Sequence, residues 1–140
     1  MDLAISDINY LAVVAGVVMN MIVGGLWYSP LLFAKPWMAE TGINMDAISE
    51  DKAGMIRGYV VSVIASIAIV FAMSVLVEAT DASGATDGLL IGLLAGIGFV
   101  ATTQAANYTF ESRTLRVYAI NVGYPVSSFL AIGLLLALWR

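Results

Sequence analysis

Charged residues gather in a few short clusters along this chain, and between the clusters stand four long runs that carry none. These runs lie between Asp7 and Lys35, Arg57 and Glu78, Asp87 and Glu111, and Arg116 and Arg140. Each supplies at least the ~20 residues that a helix rising 1.5 Å per residue needs to cross a ~30 Å hydrocarbon layer. None alternates apolar and polar residues as a membrane β-strand would. The expectation is an all-α membrane protein: one domain over residues 1–140, a bundle of four transmembrane helices at about 8–29, 58–78, 88–110 and 117–139.

Composition points the same way. Apolar residues make up 61% of the chain and charged residues 11%, against roughly 45–50% and about 25% in soluble domains. A chain that apolar cannot cover a water-facing surface with polar groups, so its first partner is the lipid bilayer. It has no Cys and no His, which removes thiolate and imidazole metal sites, disulfides and the usual activated nucleophiles. No metal, cofactor or catalytic residue is expected, and the chain is read as no enzyme. With six basic residues against ten acidic ones and no basic run, nucleic acid is not an expected partner. The start, Met1-Asp2-Leu3, lacks the positive region of a secretory signal, so the first apolar run is read as a retained helix.

The basic residues set an orientation. Lys35, Lys52 and Arg57 fall between helices 1 and 2, and Arg113 and Arg116 between helices 3 and 4. By the positive-inside rule both connections are cytoplasmic and both termini face outward. Asp2, Asp7, Glu78, Asp81 and Asp87 then make the outer face acidic. Between the first two helices, Asn44 or Asp46 can cap a helix. There Met45, Ile48, Met55 and Ile56 oppose Glu50, Asp51 and Lys52, which predicts a short amphipathic cytoplasmic helix at about 45–57.

Two kinds of residue within the runs stand out. Small ones recur every four residues: Ala12, Gly16, Asn20 and Gly24 in helix 1; Gly88, Gly92 and Gly96 in helix 3; Ala119, Gly123, Ser127 and Ala131 in helix 4. Helices in lipid hold together through such faces, and the double GxxxG of helix 3 is the best surface for a second copy. Polar residues are few: Asn20, Gln104, Asn107, Asn121 and Tyr124. The topology puts most of them in the cytoplasmic half, with Gln104, Asn107 and Glu111 on one stripe of helix 3. They either pair off between helices or line a cavity for water, an ion or a small solute. At the rim, Lys35 and Glu111 can pair, beside Arg113 and Arg116. Trp27, Tyr28, Trp37, Tyr59, Tyr108 and Tyr118 form an aromatic belt there.

Three segments carry a resemblance: LWYSPLLFAKPW from Leu26, NYTFESR from Asn107 and INVGY from Ile120. Together they resemble the family catalogued as domain of unknown function 1761, small prokaryotic membrane proteins, over nearly the whole chain. Its signature positions would be Trp27, Tyr28, Ser29, Pro30, Phe33, Lys35 and Trp37, then Asn107, Phe110, Glu111, Asn121, Gly123 and Tyr124. The resemblance implies four membrane helices in the inner membrane of a prokaryote, and it implies no activity.

Two functions follow as expectations. One is a homo-oligomeric bundle whose cytoplasmic-facing polar cavity, lined by the five polar residues with Lys35 and Glu111 at its mouth, binds or passes a small solute or ion. The other is a non-catalytic accessory subunit packed against a larger membrane complex.

Overall fold

The computed structural model describes residues 5–140, so Asp2 lies outside the described residues. After a 3-10 turn at Ile5–Asp7 come α1 (Tyr10–Trp27), α2 (Ala34–Thr41), α3 (Met45–Glu50), α4 (Lys52–Ala79), α5 (Gly84–Phe110) and α6 (Leu115–Leu138). No strand occurs among the described residues. The helices α1, α4, α5 and α6 are long and apolar enough to cross a membrane, and they run up and down in alternation. Short polar side chains start three of them by accepting from free first-turn N–H groups: Asn9 from Leu11 and Ala12, Asp51 from Gly54, and Thr114 from Val117.

Five of the six basic residues stand at one end, hereafter the basic end. At the opposite end, Arg140 bonds Glu78 at 2.9 Å and Asp81 at 2.8 Å, and the Asn9 side chain donates to the Trp139 carbonyl at 3.3 Å. These contacts tie the tips of α1, α4 and α6 together.

The helix α6 is the central element, touching α1, α4 and α5. Its closest neighbour is α5, and glycine is the reason. A Cβ at Gly88 would run into the Gly133 carbonyl, and one at Gly92 into the Phe129 carbonyl; at Gly96 it would stand 3.0 Å from Val126 Cα. Backbone therefore meets backbone. The GxxxG stripe expected to receive a second copy is occupied within the chain.

One further expectation is corrected. The single amphipathic helix at 45–57 is instead α3, six residues long, followed by a break at Asp51; Lys52 to Arg57 already belong to α4. The break arises because the Asp51 carboxylate caps a new helix. Moreover α2 was not anticipated. Lys35 and Pro36 sit in its first turn, where proline's missing N–H costs nothing, and Gly42, at φ 71°, closes it in the left-handed conformation.

The two halves of the bundle differ. In the half away from the basic end, Val70, Met73, Val77 and Ile132 are each 1% exposed or less, and a Cβ at Gly16 would stand 2.7 Å from Val70. That half is a dry, closely packed plug. Toward the basic end, α4 is open: nearly every residue from Lys52 to Ala65 is exposed, and inward packing begins only at Ser66. Exposed apolar side chains coat the outside, among them Leu11, Val14, Ile64, Leu94 and Phe99, the reverse of a water-soluble surface.

Candidate functional site

A turn begins the site. Ser29 donates its hydroxyl to the Leu26 carbonyl at 2.7 Å and accepts from the Leu31 N–H, while Phe33 N–H reaches the Trp27 carbonyl at 3.0 Å. Pro30 stands exposed in this turn, which reverses the chain and lays α2 against α6. Thr114 donates to Glu40 at 2.7 Å, and Arg116 lies 3.6 Å from the same carboxylate. Glu40 thus anchors α2 to the start of α6. No pattern in the sequence singles it out.

Asn121 is the hub beneath that turn. Its carbonyl oxygen accepts from Tyr28 OH at 3.1 Å and from Trp37 Nε1 at 3.0 Å, and its amide nitrogen donates to Tyr108 OH. An indole N–H can only donate, so Trp37 fixes which way the amide points and leaves the NH₂ for Tyr108. Nearby, Trp27 Nε1 donates to the Ile120 carbonyl at 2.8 Å, its ring fitting over Gly123, where a Cβ would stand 2.5 Å from the indole. Tyr28 meets Trp37 and Tyr124 edge-on, each at 5.7 Å between ring centroids. Trp27, Tyr28, Trp37, Tyr108, Asn121, Gly123 and Tyr124 are therefore one cluster, joining α1, α2, α5 and α6. Asn121 is paired off in it.

Beside the cluster, a cavity of about 330 Å³ opens between α1 and the free half of α4, lined by Asn20, Met21, Gly24, Gly25, Tyr28, Met45, Tyr59, Ser62 and Tyr124. No charged side chain lines it. Its floor is polar: Asn20, 3% exposed, donates to Ser66 Oγ at 2.7 Å, and Tyr124 OH stands 3.5 Å from Asn20 Oδ1. Ser66 passes its own proton toward Met21 Sδ at 3.5 Å. Tyr28 and Asn20 are eight residues apart on one helix, so the cavity reaches about 12 Å inward. There the dry plug closes it.

The remaining candidates lie elsewhere. Lys35 is exposed and makes no ion pair among the described residues; Glu111 pairs instead with Arg113, at 2.5 Å, two residues along its own loop. The expected Lys35–Glu111 lock does not form, because the neighbouring cation is within reach at no cost in chain ordering. Arg113 also stands 5.8 Å from the Tyr108 ring centroid. Gln104 and Asn107 face outward and do not line this cavity. Of the five polar residues expected in one site, only Asn20 and Tyr124 meet there.

The reason is a π-helical segment, Leu94–Ala101, inside α5. Up to Gly96 the inward positions are Gly88, Gly92 and Gly96; from Ala101 onward they are Ala101, Ala105 and Tyr108. The step of five from Gly96 to Ala101 is the π register. It brings Tyr108 to Asn121 and lets Tyr118 OH donate to the Ala101 carbonyl at 2.9 Å. It also carries Gln104 and Asn107 out of the bundle. A strict 3.6-residue period places them wrongly. Tyr59 and Ser62 of α4 and Met45 of α3 complete the cavity, and Ser66 stands behind its floor as the partner of Asn20.

Compared with known proteins, residues 11–137 match a family model described as "Protein of unknown function (DUF1761)". No curated protein and no solved structure matches the chain.

Proposed function

The chain belongs to the family of proteins of unknown function DUF1761, and from that premise we propose that it is an integral membrane protein holding a small solute in the cavity between α1 and α4. The observation that carries this reading is the cavity itself: a polar floor about 12 Å inside the bundle, closed beyond by packed Val70, Met73 and Ile132. A chamber blind at one end suits binding better than free permeation. Its walls carry hydroxyls, one amide, two methionines and three tyrosines, and no charge. That lining selects an uncharged, amphipathic molecule, with polar groups toward Asn20 and Ser62 and an apolar body against the flexible methionines. No carboxylate, imidazole or amine lines the cavity to activate the Ser62 hydroxyl, which favours binding over catalysis.

The surrounding features extend the proposal. The basic end faces the cytoplasm of a prokaryotic cell and both termini face outward, since five of six basic residues sit at that end. The protein works as a homo-oligomer, a proposal supported by the exposed amides of Gln104 and Asn107 on α5, which have no partner among the described residues. A second reading, an accessory subunit of a larger complex, draws on an apolar groove of about 370 Å³ between α4 and α5, walled by Ile69, Met73, Phe99 and Phe129 among others.

Native mass spectrometry of protein released from lipid nanodiscs tests the cavity. The wild type should carry a co-purifying small molecule, and Ser62→Trp, which fills the chamber, should lose it while keeping the same melting temperature. A wild type that carries nothing, or a bound mass unaffected by Ser62→Trp, refutes the assignment.

A further inference from the structure

In α5, Gln104 and Asn107 are exposed neighbours one turn apart, and neither side-chain amide has a partner among the described residues. Their depth follows from the cluster: Tyr108 bonds Asn121 at the level of Tyr28 and Trp37, and Gln104 lies four residues, about 6 Å, farther inward. The other polar side chains at this level are satisfied. Asn121 has three partners, Tyr118 reaches the Ala101 carbonyl, and Thr102, Thr103 and Thr109 donate back to Gly98, Phe99 and Ala105 of their own helix. Neither amide bonds back to its own helix among the described residues, and acyl chains offer no partner.

We propose that this face of α5 is the contact between two copies of the chain, with Gln104 and Asn107 hydrogen-bonding across a two-fold axis. The occupant follows from the chemistry. An amide carries donor and acceptor together, so the same face on a second copy complements it without any opposite charge, as a two-fold interface requires. Ala106 and Thr103, exposed beside the amides, are small enough for two helices to approach. The stripe of Gly88, Gly92 and Gly96 cannot serve, because α6 fills it. The inference rests on the homo-oligomer reading and gives it a surface that the glycine pattern did not.

The chain has no Cys, so one introduced thiol reports one contact. Thr103→Cys in native membranes, treated with a mild oxidant, should give a disulfide-linked dimer, and Val14→Cys on the exposed face of α1 should not. Adding Gln104→Leu and Asn107→Leu to Thr103→Cys should lower the dimer yield at least tenfold with the melting temperature unchanged. Oligomers that link through Val14→Cys but not Thr103→Cys overturn the surface while leaving homo-oligomerisation intact. A monomeric mass in nanodiscs with neither link overturns both. A Thr103→Cys cross-link to a different protein transfers the face to a hetero-partner and also overturns the proposal.

Discussion

Asn121 holds three aromatic groups from three other segments, and the loss of any one of them leaves its partners with unfilled hydrogen bonds. Interhelical hydrogen bonds in membranes average about 0.6 kcal/mol, with maxima near 1.7. Asn121→Leu, which strands Tyr28, Trp37 and Tyr108 at once, should therefore cost about 2 kcal/mol, read from unfolding titrations in mixed micelles. Tyr108→Phe should cost less than half as much. Glycines provide a sharper contrast. Gly92→Ala pushes a methyl into the Phe129 backbone and should destabilise by about 2 kcal/mol through separation of α5 from α6. In α4, Gly58 has nothing within 4 Å of a Cβ position, so Gly58→Ala should stabilise by roughly 0.5–1 kcal/mol by lowering the entropy of the unfolded chain. Equal effects at the two sites would break the packing account.

At the scale of elements, the four long helices were legible because uncharged length is a coarse signal that local detail cannot hide. The capping of α3 by Asn44 was legible too, since Asn44 Oδ1 accepts from Asp46 N–H at 2.9 Å. What escaped was register. The π segment of α5 inserts one position between Gly96 and Ala101, and no residue there announces it; LAGIGFVA reads as ordinary apolar helix. Hence Gln104 and Asn107 were placed inward and Tyr108 was left in the belt. The helix α2 escaped because Lys-Pro-Trp reads as a surface tether, when its Pro36 begins a helix that docks by Trp37 and Glu40. Removing one residue from the segment, Val100, makes the step from Gly96 to Ala101 four residues, so an ordinary α-helix should then keep Ala101, Ala105 and Tyr108 facing inward. In that background Tyr108→Phe should cost as much stability as it does in the intact chain. A Tyr108→Phe change without effect there would show that the π segment does not set this register.

For the whole molecule, polarity divides the bundle across its length. One half is dry and packed around Val70 and Ile132, while the other encloses a hub of aromatic hydrogen bonds and a chamber with a polar floor. The sequence showed that polar groups concentrate toward the basic end, but it could not say whether they converge, since convergence depends on crossing geometry between α1 and α4 and on the turn at Pro30. The central claim is that the chamber is reached from the basic end and stops at Asn20. It is tested most directly by single thiols placed along α4 and challenged with a small water-soluble reagent from the basic side of sealed vesicles. The account predicts fast modification of Tyr59→Cys and Ser62→Cys, slow modification of Ser66→Cys and none of Val70→Cys. Reaction at Val70→Cys, or no reaction at Ser62→Cys, would contradict it.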